Sequence, residues 1–396
     1  MSLNNITFSS YKKFSGKECL SIRPVTILVG KNSSGKSSVL KLFPMLENSF
    51  SGELKKTPLM FDNNGVSLGV SFRNISHNGN SLGLSFGASF SDTLTIKVEL
   101  ISLKSERDIY INQYSILYKG SEYTLILQKD LKTYACDQTG KSYSYEDFSG
   151  FINLILLKDI GYDLSLVPHL KVDYIGPIRT QPSRIYYSKG WEMMDKVGYS
   201  GEVAYDILCG SETLQKAVSE WFEENFNGCK LIVDPIDKGA YQICMIKKGN
   251  EGYPVNIIDE GQGMSQVLPI IVRCNMKEEG SIVLVEQPEL HLHPAAHASL
   301  AKLFTKTAKG NNQKYIVETH SENIILGIRE AIVDKNIPFT PDDAIIYFID
   351  EDEEGAYLRE IVIDEEGNLS EWPTGVFNES YELLKNIQNK AQNKQL

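Results

Sequence analysis

Residues 30 to 37 read Gly-Lys-Asn-Ser-Ser-Gly-Lys-Ser, and Ser38 follows directly. Glycines at both ends of so short a polar run let backbone N–H groups converge on one point, which is what a phosphate needs. Lys36 supplies a point charge for β and γ phosphates, and the Ser37 hydroxyl is placed to bind magnesium. Gly30, Lys31, Asn32, Ser33, Ser34, Gly35, Lys36, Ser37 and Ser38 are therefore the expected nucleotide-binding residues. The bland alternative is a glycine-rich turn between two elements.

The flanking elements favour phosphate binding over a plain turn. The apolar run Val25-Thr26-Ile27-Leu28-Val29 predicts a buried strand that delivers the loop. Val39, Leu40, Leu42 and Phe43 predict a helix opening at Lys36, whose N-terminus attracts anions. Two further strand ends carry reactive side chains. Ile282-Val-Leu-Val ends in Glu286, a carboxylate emerging beside the loop where a water-mediated magnesium ligand belongs. Tyr315-Ile-Val-Glu-Thr ends at His320, which can reach a γ-phosphate.

Between these parts lies a long stretch of strand patterns. Leu94, Ile96, Val98 and Leu100 alternate with polar residues, and turn signals such as Asn78-Gly79-Asn80 separate the runs. Residues 58–140 read as mainly antiparallel sheet, with helices at 145–158 and 211–226 and strands at 171–175, 230–235 and 241–247. From 255 onward the order becomes α/β: a helix over 264–275, the Glu286 strand, a helix over 294–308, the His320 strand and a helix near Glu322. Strands at 344–349 and 357–363 and a helix at 379–391 close the chain. No heptads persist, so no coiled-coil arm is expected. The fold class expected is α/β: a P-loop sheet flanked by helices, built from residues 1–57 and 251–396, with a β-rich and helical insertion over 58–250.

Composition narrows the setting. The chain has 396 residues, enough to bury a sizeable core. Six cysteines are scattered without a Cys-x-x-Cys pair, which indicates neither a zinc module nor a disulfide framework. With no apolar run long enough to span a membrane and no signal pattern, a cytoplasmic location is expected. The net charge of −11 is local: residues 342–371 hold twelve acids and one base, leaving 39 of each elsewhere. That balance neither excludes nucleic acid nor builds a basic stripe for it.

Taken together, Gly30–Ser37, Glu286-Gln-Pro-Glu-Leu-His-Leu-His-Pro294 and Glu318-Thr-His-Ser321 resemble the SMC/RecF/OLD-like branch of ABC ATPases, also grouped as bacterial AAA family ATPases. Tyr174-Ile-Gly-Pro-Ile-Arg179 and Trp372-Pro373 resemble one bacterial subgroup, and residues 58–250 match only in outline. The resemblance implies a head-to-tail homodimer with two ATP molecules, and Mg²⁺, between the copies. In such a pair Asp259-Glu-Gly-Gln-Gly-Met-Ser-Gln266 is the glycine turn that covers the partner's γ-phosphate, with Gly261, Gly263 and Ser265 as candidate contacts. Adenine contacts would lie near Tyr11-Lys-Lys-Phe14, and His291 and His293 fall in a dimer-facing loop rather than a metal site.

One departure bears on chemistry. The residue after the magnesium carboxylate is usually the glutamate that activates water, and here it is Gln287. An amide orients water but takes no proton, so turnover is expected to be slow, unless Glu289 supplies the carboxylate. OLD-like proteins commonly add a nuclease domain. Only 76 residues follow His320, and Asp350-Glu-Asp352 sits in a run of five acids that reads as a solvated hairpin. The expected function is thus a dimeric regulatory ATPase acting on a separate, nuclease-like effector, as in stand-alone ATPases of anti-phage systems. The alternatives are a RecF-like clamp on duplex DNA and a nuclease using the 350–354 acids. A transporter ATPase fits the motifs poorly.

Overall fold

The computed structural model describes residues 2–54, 57–90, 93–103, 108–187, 194–249, 252–372, 377, 383–387 and 390. At its centre is a six-stranded sheet in the order Val172–Ile175, Ile282–Glu286, Lys314–Glu318, Val25–Gly30, Ala344–Glu351, Ala356–Ile361. The first five strands are parallel and the last is antiparallel. Such strands are buried on both faces, which is why they read as continuous apolar runs.

Side chains still alternate between the two faces. Ile282, Leu284 and Ile316 join one apolar cluster, with the P-loop helix Lys36–Ser49 and an eight-stranded sheet. Val283, Val285, Tyr315 and Val317 join the other, with the helices Gln262–Asn275, Pro294–Gly310 and Glu322–Val333. By the same alternation Glu286 and Glu318, which are register partners, both face the P-loop helix.

The eight-stranded sheet is antiparallel throughout and holds the strands expected between 84 and 127. It also takes in Leu3–Tyr11 and Phe14–Ser21, so most of the chain before the P-loop pairs with this layer rather than with the P-loop strand. Conversely Val172–Ile175, from the stretch read as an insertion, forms the edge of the P-loop sheet. A smaller sheet built on Lys230–Asp237 and Ala240–Ile246 packs with the helices Ala204–Gly210 and Glu212–Asn225. The longest helix among the described residues, Pro294–Gly310, has 17 residues, and none is long and apolar enough to cross a membrane.

The helix expected over 145–158 is a correction. Tyr145–Asp147 is a single 3₁₀ turn, two short bridges follow, and only Leu154–Asp159 is α-helical. Gly150 sits at φ 61°, where a Cβ would run into the Ser49 carbonyl at the end of the P-loop helix. Close packing there overrides the apolar periodicity. The helix expected at 379–391 falls largely outside the described residues, of which 383–387 are helical. Pro373 lies outside them as well.

The edge strand is tied in by a buried ion pair. Arg273 Nε donates to Asp173 Oδ2 at 2.7 Å and Arg273 Nη2 to Ser281 Oγ at 2.8 Å, while the Val197 N–H donates to the same Asp173 oxygen. Removing one partner strands the other charge in the core. Arg273→Ala should therefore cost about 3–5 kcal/mol in urea unfolding. A loss below about 1 kcal/mol would contradict this role for the pair.

Candidate nucleotide site

The loop is held by close approach at both ends. At Gly30 an added Cβ would lie 2.6 Å from the Ile349 carbonyl oxygen. Gly35 caps the helix at φ 115°, with the Phe14 ring 3.1 Å from where a Cβ would sit. These are positions only glycine fills without strain. The first-turn N–H groups of the 14-residue helix lack intrahelical acceptors and point out of its N-terminus.

In front of the loop lies a cavity of about 560 Å³, within the range of small-molecule sites. Asn32, Ser33 and Gly35 to Ser38 line it from the P-loop, and Gln287, Glu318 and His320 from at or beyond the ends of the next two strands on one side. Residues 250 positions apart in sequence thus meet at one point, because the parallel register brings the strand ends level.

Lys36 is almost fully buried, and its Nζ donates to the carbonyls of Gly30 at 3.0 Å and Lys31 at 2.8 Å. Its ammonium lies 3.9 Å from Glu318 Oε1. Burial lowers its pKa, with Glu318 and Glu286 opposing that shift. The Ser37 hydroxyl donates to Glu318 Oε2 at 2.9 Å. Burial, and then the neighbouring Glu286 carboxylate, push the Glu318 carboxyl up to about 7.

Glu286, at 6% exposure, is buried one strand further on and does not line the cavity. Its Oε1 accepts from the Tyr174 hydroxyl, and burial raises its pKa. The guanidinium of Arg179 clamps the strand end, Nη2 donating to the carbonyls of Glu286 at 2.7 Å and Gln287 at 3.1 Å. Gln287 has φ 44°, an uncommon conformation for a non-glycine residue, and its N–H donates to the Glu318 carbonyl at 2.8 Å. The turn places Gln287 in the cavity wall.

His320 lines the cavity, and its pKa is lowered by burial first and by Lys36 second. Glu289 does not line it. Its Oε1 accepts from the His320 N–H at 2.7 Å, so within one chain it braces the histidine's backbone.

The glycine turn lies elsewhere. Gly261 caps the helix Gln262–Asn275, and Gly263 packs where a Cβ would come 2.7 Å from the His291 carbonyl oxygen. Ser265 lines a separate cavity of about 360 Å³ together with Gln262, Arg179 and His291. None of the three candidate trans residues lines the P-loop cavity of its own chain. His293 caps the next helix through Nδ1, accepting from the Ala295 N–H at 3.3 Å. Among the described residues no three His, Cys, Asp or Glu side chains cluster to hold a metal on their own.

Around the rim, Tyr11 and Phe14 are fully buried core residues and offer no ring to an adenine. Lys12 and Lys13 between them do line the cavity, as do Asn74 and Ser76 from a helical turn that sequence reasoning passed over. Glu318, Tyr174 and Arg179 stand inside motifs named above, and their residue types alone assign them no role. The only local signal for Glu318 is a carboxylate ending an apolar strand, the same signal that marks Glu286.

Magnesium favours hard oxygen ligands and keeps several waters or phosphate oxygens, so it needs few protein groups. The Ser37 hydroxyl, in the first turn of the P-loop helix, and the Glu318 and Glu286 carboxylates, at the strand ends facing that helix, fit that requirement.

Glu318 also makes a pH-dependent cost. Its raised pKa means that the ionised form is the one the fold disfavours. The cost is fully present above about 7 and fades as pH falls toward the ordinary carboxylate range. Glu318→Gln should therefore stabilise the ligand-free protein by roughly 1–3 kcal/mol at pH 8, less at pH 5. A difference in unfolding free energy that does not change with pH would contradict this.

Residues 203–325 match a family described as an AAA ATPase domain, and residues 339–387 match one described as a protein of unknown function (DUF3696). The first match spans the glycine turn, the Glu286 strand and His320. No curated protein matches the chain. Among solved structures, the SMC head domain from Thermotoga maritima aligns at 13% identity and TM-score 0.46, covering 91% of this chain and 98% of that one. An SMC head bound to the C-winged helix domain of ScpA aligns at 12% and 0.48, with the same coverage. A third, a Smc head domain with an extended coiled coil bound to the C-terminal domain of ScpA, derived from Pyrococcus furiosus, aligns at 10% and 0.46, covering 98% and 99%. By the family match residues 203–325 are similar to an AAA ATPase domain, and an ATPase of this kind binds ATP, usually with Mg²⁺.

Proposed function

We propose that this chain is a Mg·ATP-binding, slowly hydrolysing ATPase that works as a head-to-tail homodimer and regulates a separate effector. The observation that carries the reading is the single cavity that joins the P-loop to Gln287, Glu318 and His320. ATP would place its phosphates on the N-terminus of the P-loop helix, with Lys36 moving from loop carbonyls to the β and γ oxygens. His320 would contact the γ-phosphate, and magnesium would neutralise charge on the phosphate oxygens beside Ser37. In this reading residues 1–57 and 251–396 carry the ATPase together with the edge strand Val172–Ile175, and the rest of 58–250 is an insertion.

Slow turnover follows from Gln287, which holds the water-facing position with an amide. Glu289, engaged with the His320 backbone, is the less direct candidate for base. Gly261, Gly263 and Ser265 would act on the partner's nucleotide, which agrees with their position away from their own chain's cavity.

A separate effector is favoured by the state of the 350–354 acids. Asp352 Oδ1 accepts from the Glu354 and Gly355 N–H groups, and Glu351 pairs with Lys13, so these acids shape a hairpin turn. The defence setting rests on the motif resemblance alone. It predicts that Lys36→Ala abolishes protection in phage plating of cells carrying the chain with its genomic neighbours; unchanged plating would count against it.

The direct test is steady-state ATP turnover with magnesium, with Lys36→Ala as blank and molar mass followed by light scattering. Gln287→Glu should raise turnover at least ~10-fold, the gain a positioned general base brings. ATP should double the mass of the wild type and not of Lys36→Ala. An unchanged or lower rate in Gln287→Glu would remove the water-orienting role, and a monomer at saturating ATP would remove the dimer.

A further inference from the structure

Three features of the strand ends point the same way. Glu286 and Glu318 are register partners on adjacent parallel strands and face the same helix. Both are buried, at 6% and 5% exposure, yet they differ in their partners. Glu286 is engaged by the Tyr174 hydroxyl, whereas Glu318 is engaged by the P-loop itself, through Ser37 Oγ at 2.9 Å and Lys36 Nζ at 3.9 Å.

Two buried carboxylates side by side repel each other unless a cation sits between them. Lys36 partly fills that need, but it is also the group that must turn to the phosphates. Once it does, the pair is left with two negative charges against a weakened counter-charge, and a divalent ion restores the balance. The donor types suit magnesium: the Ser37 Oγ–Glu318 Oε2 hydrogen bond of 2.9 Å brings a hydroxyl and a carboxylate oxygen, both hard donors, side by side at the loop.

We propose that Glu318 is a carboxylate of the magnesium site, sharing the ion with Ser37, while Glu286 acts from behind it under the Tyr174 hydroxyl. The assignment rests on the nucleotide reading above and changes its residue list. The protein's own share of the ion comes from Ser37 and Glu318, and Glu286 supplies field and water orientation. Glu318 thereby couples the two halves of the site, because from the neighbouring strand its side chain reaches both Ser37 and Lys36 of the P-loop.

The test is a Mn²⁺ titration read by electron paramagnetic resonance, in the presence of a non-hydrolysable ATP analogue. Wild type, Glu318→Gln and Glu318→Asp are compared, and analogue binding without metal is measured alongside. Loss of a group that merely supports a metal ligand typically costs 10–100-fold in metal affinity, so loss of Glu318 as a ligand should raise the half-saturating Mn²⁺ at least ~10-fold. Metal-free analogue binding should tighten, since one negative charge facing the phosphates has gone and Lys36 is released from its ion pair. Glu318→Asp, which keeps the charge, should recover part of the loss, and this sets metal ligation apart from misfolding. Half-saturating Mn²⁺ within twofold of wild type in Glu318→Gln would overturn the proposal while leaving nucleotide binding intact. A wild type that binds no analogue with or without metal would overturn the nucleotide reading and this assignment with it.

Discussion

The site depends on the register of three parallel strands. Leu28 of the P-loop strand pairs with Glu318, and Glu318 with Glu286, so the carboxyl ends of all three finish level. Backbone hydrogen bonding fixes that row, and burial on both faces fixes which side chains point toward the P-loop helix. A slip of one residue between the P-loop strand and the Glu318 strand would turn both glutamates toward the opposite helices, and a slip between the two glutamate strands would part them onto opposite faces. Everything reactive is then a short extension beyond this row: the loop after Gly30, the turn at Gln287, and the segment leading to His320.

A second consequence is electrostatic tension. Two carboxylates and one ammonium are buried within a few ångströms, and burial raises the pKa of both acids and lowers that of the lysine. A fold selected only for stability would have apolar residues here. The tension is discharged by partners that hold each group in place: Tyr174 on Glu286, Ser37 on Glu318, the loop carbonyls on Lys36. Phosphates and a divalent cation would replace these stopgap contacts with stronger ones, which is how a preorganised site converts stored cost into affinity.

Much of this was legible in the sequence because its signals are local. Glycines at 30 and 35 and a five-residue apolar run specify the strand, loop and helix without reference to the rest of the chain. Glu286 was legible for the same reason. Glu318 carried the same signal, but its meaning lies in a hydrogen bond to Ser37 across 281 positions, which no window of sequence contains. Residues 3–21 belong to the antiparallel layer through pairing with Leu84–Phe90, again a long-range fact. At 145–158 the apolar spacing pointed to one helix, and the packing of Gly150 against the end of the P-loop helix broke it. Tyr11 and Phe14 looked available to a base, whereas both rings fill the core beneath the loop.

The central claim is that the P-loop and the two glutamate-ended strands form one Mg·ATP site. Isothermal titration of the wild type and of Lys36→Ala with ATP, with and without Mg²⁺, tests it most directly. The account predicts saturable binding by the wild type that tightens with magnesium and weakens at least ~100-fold in Lys36→Ala, about 2.7 kcal/mol. Equal affinity in the two proteins, or wild-type binding indifferent to magnesium, would contradict it.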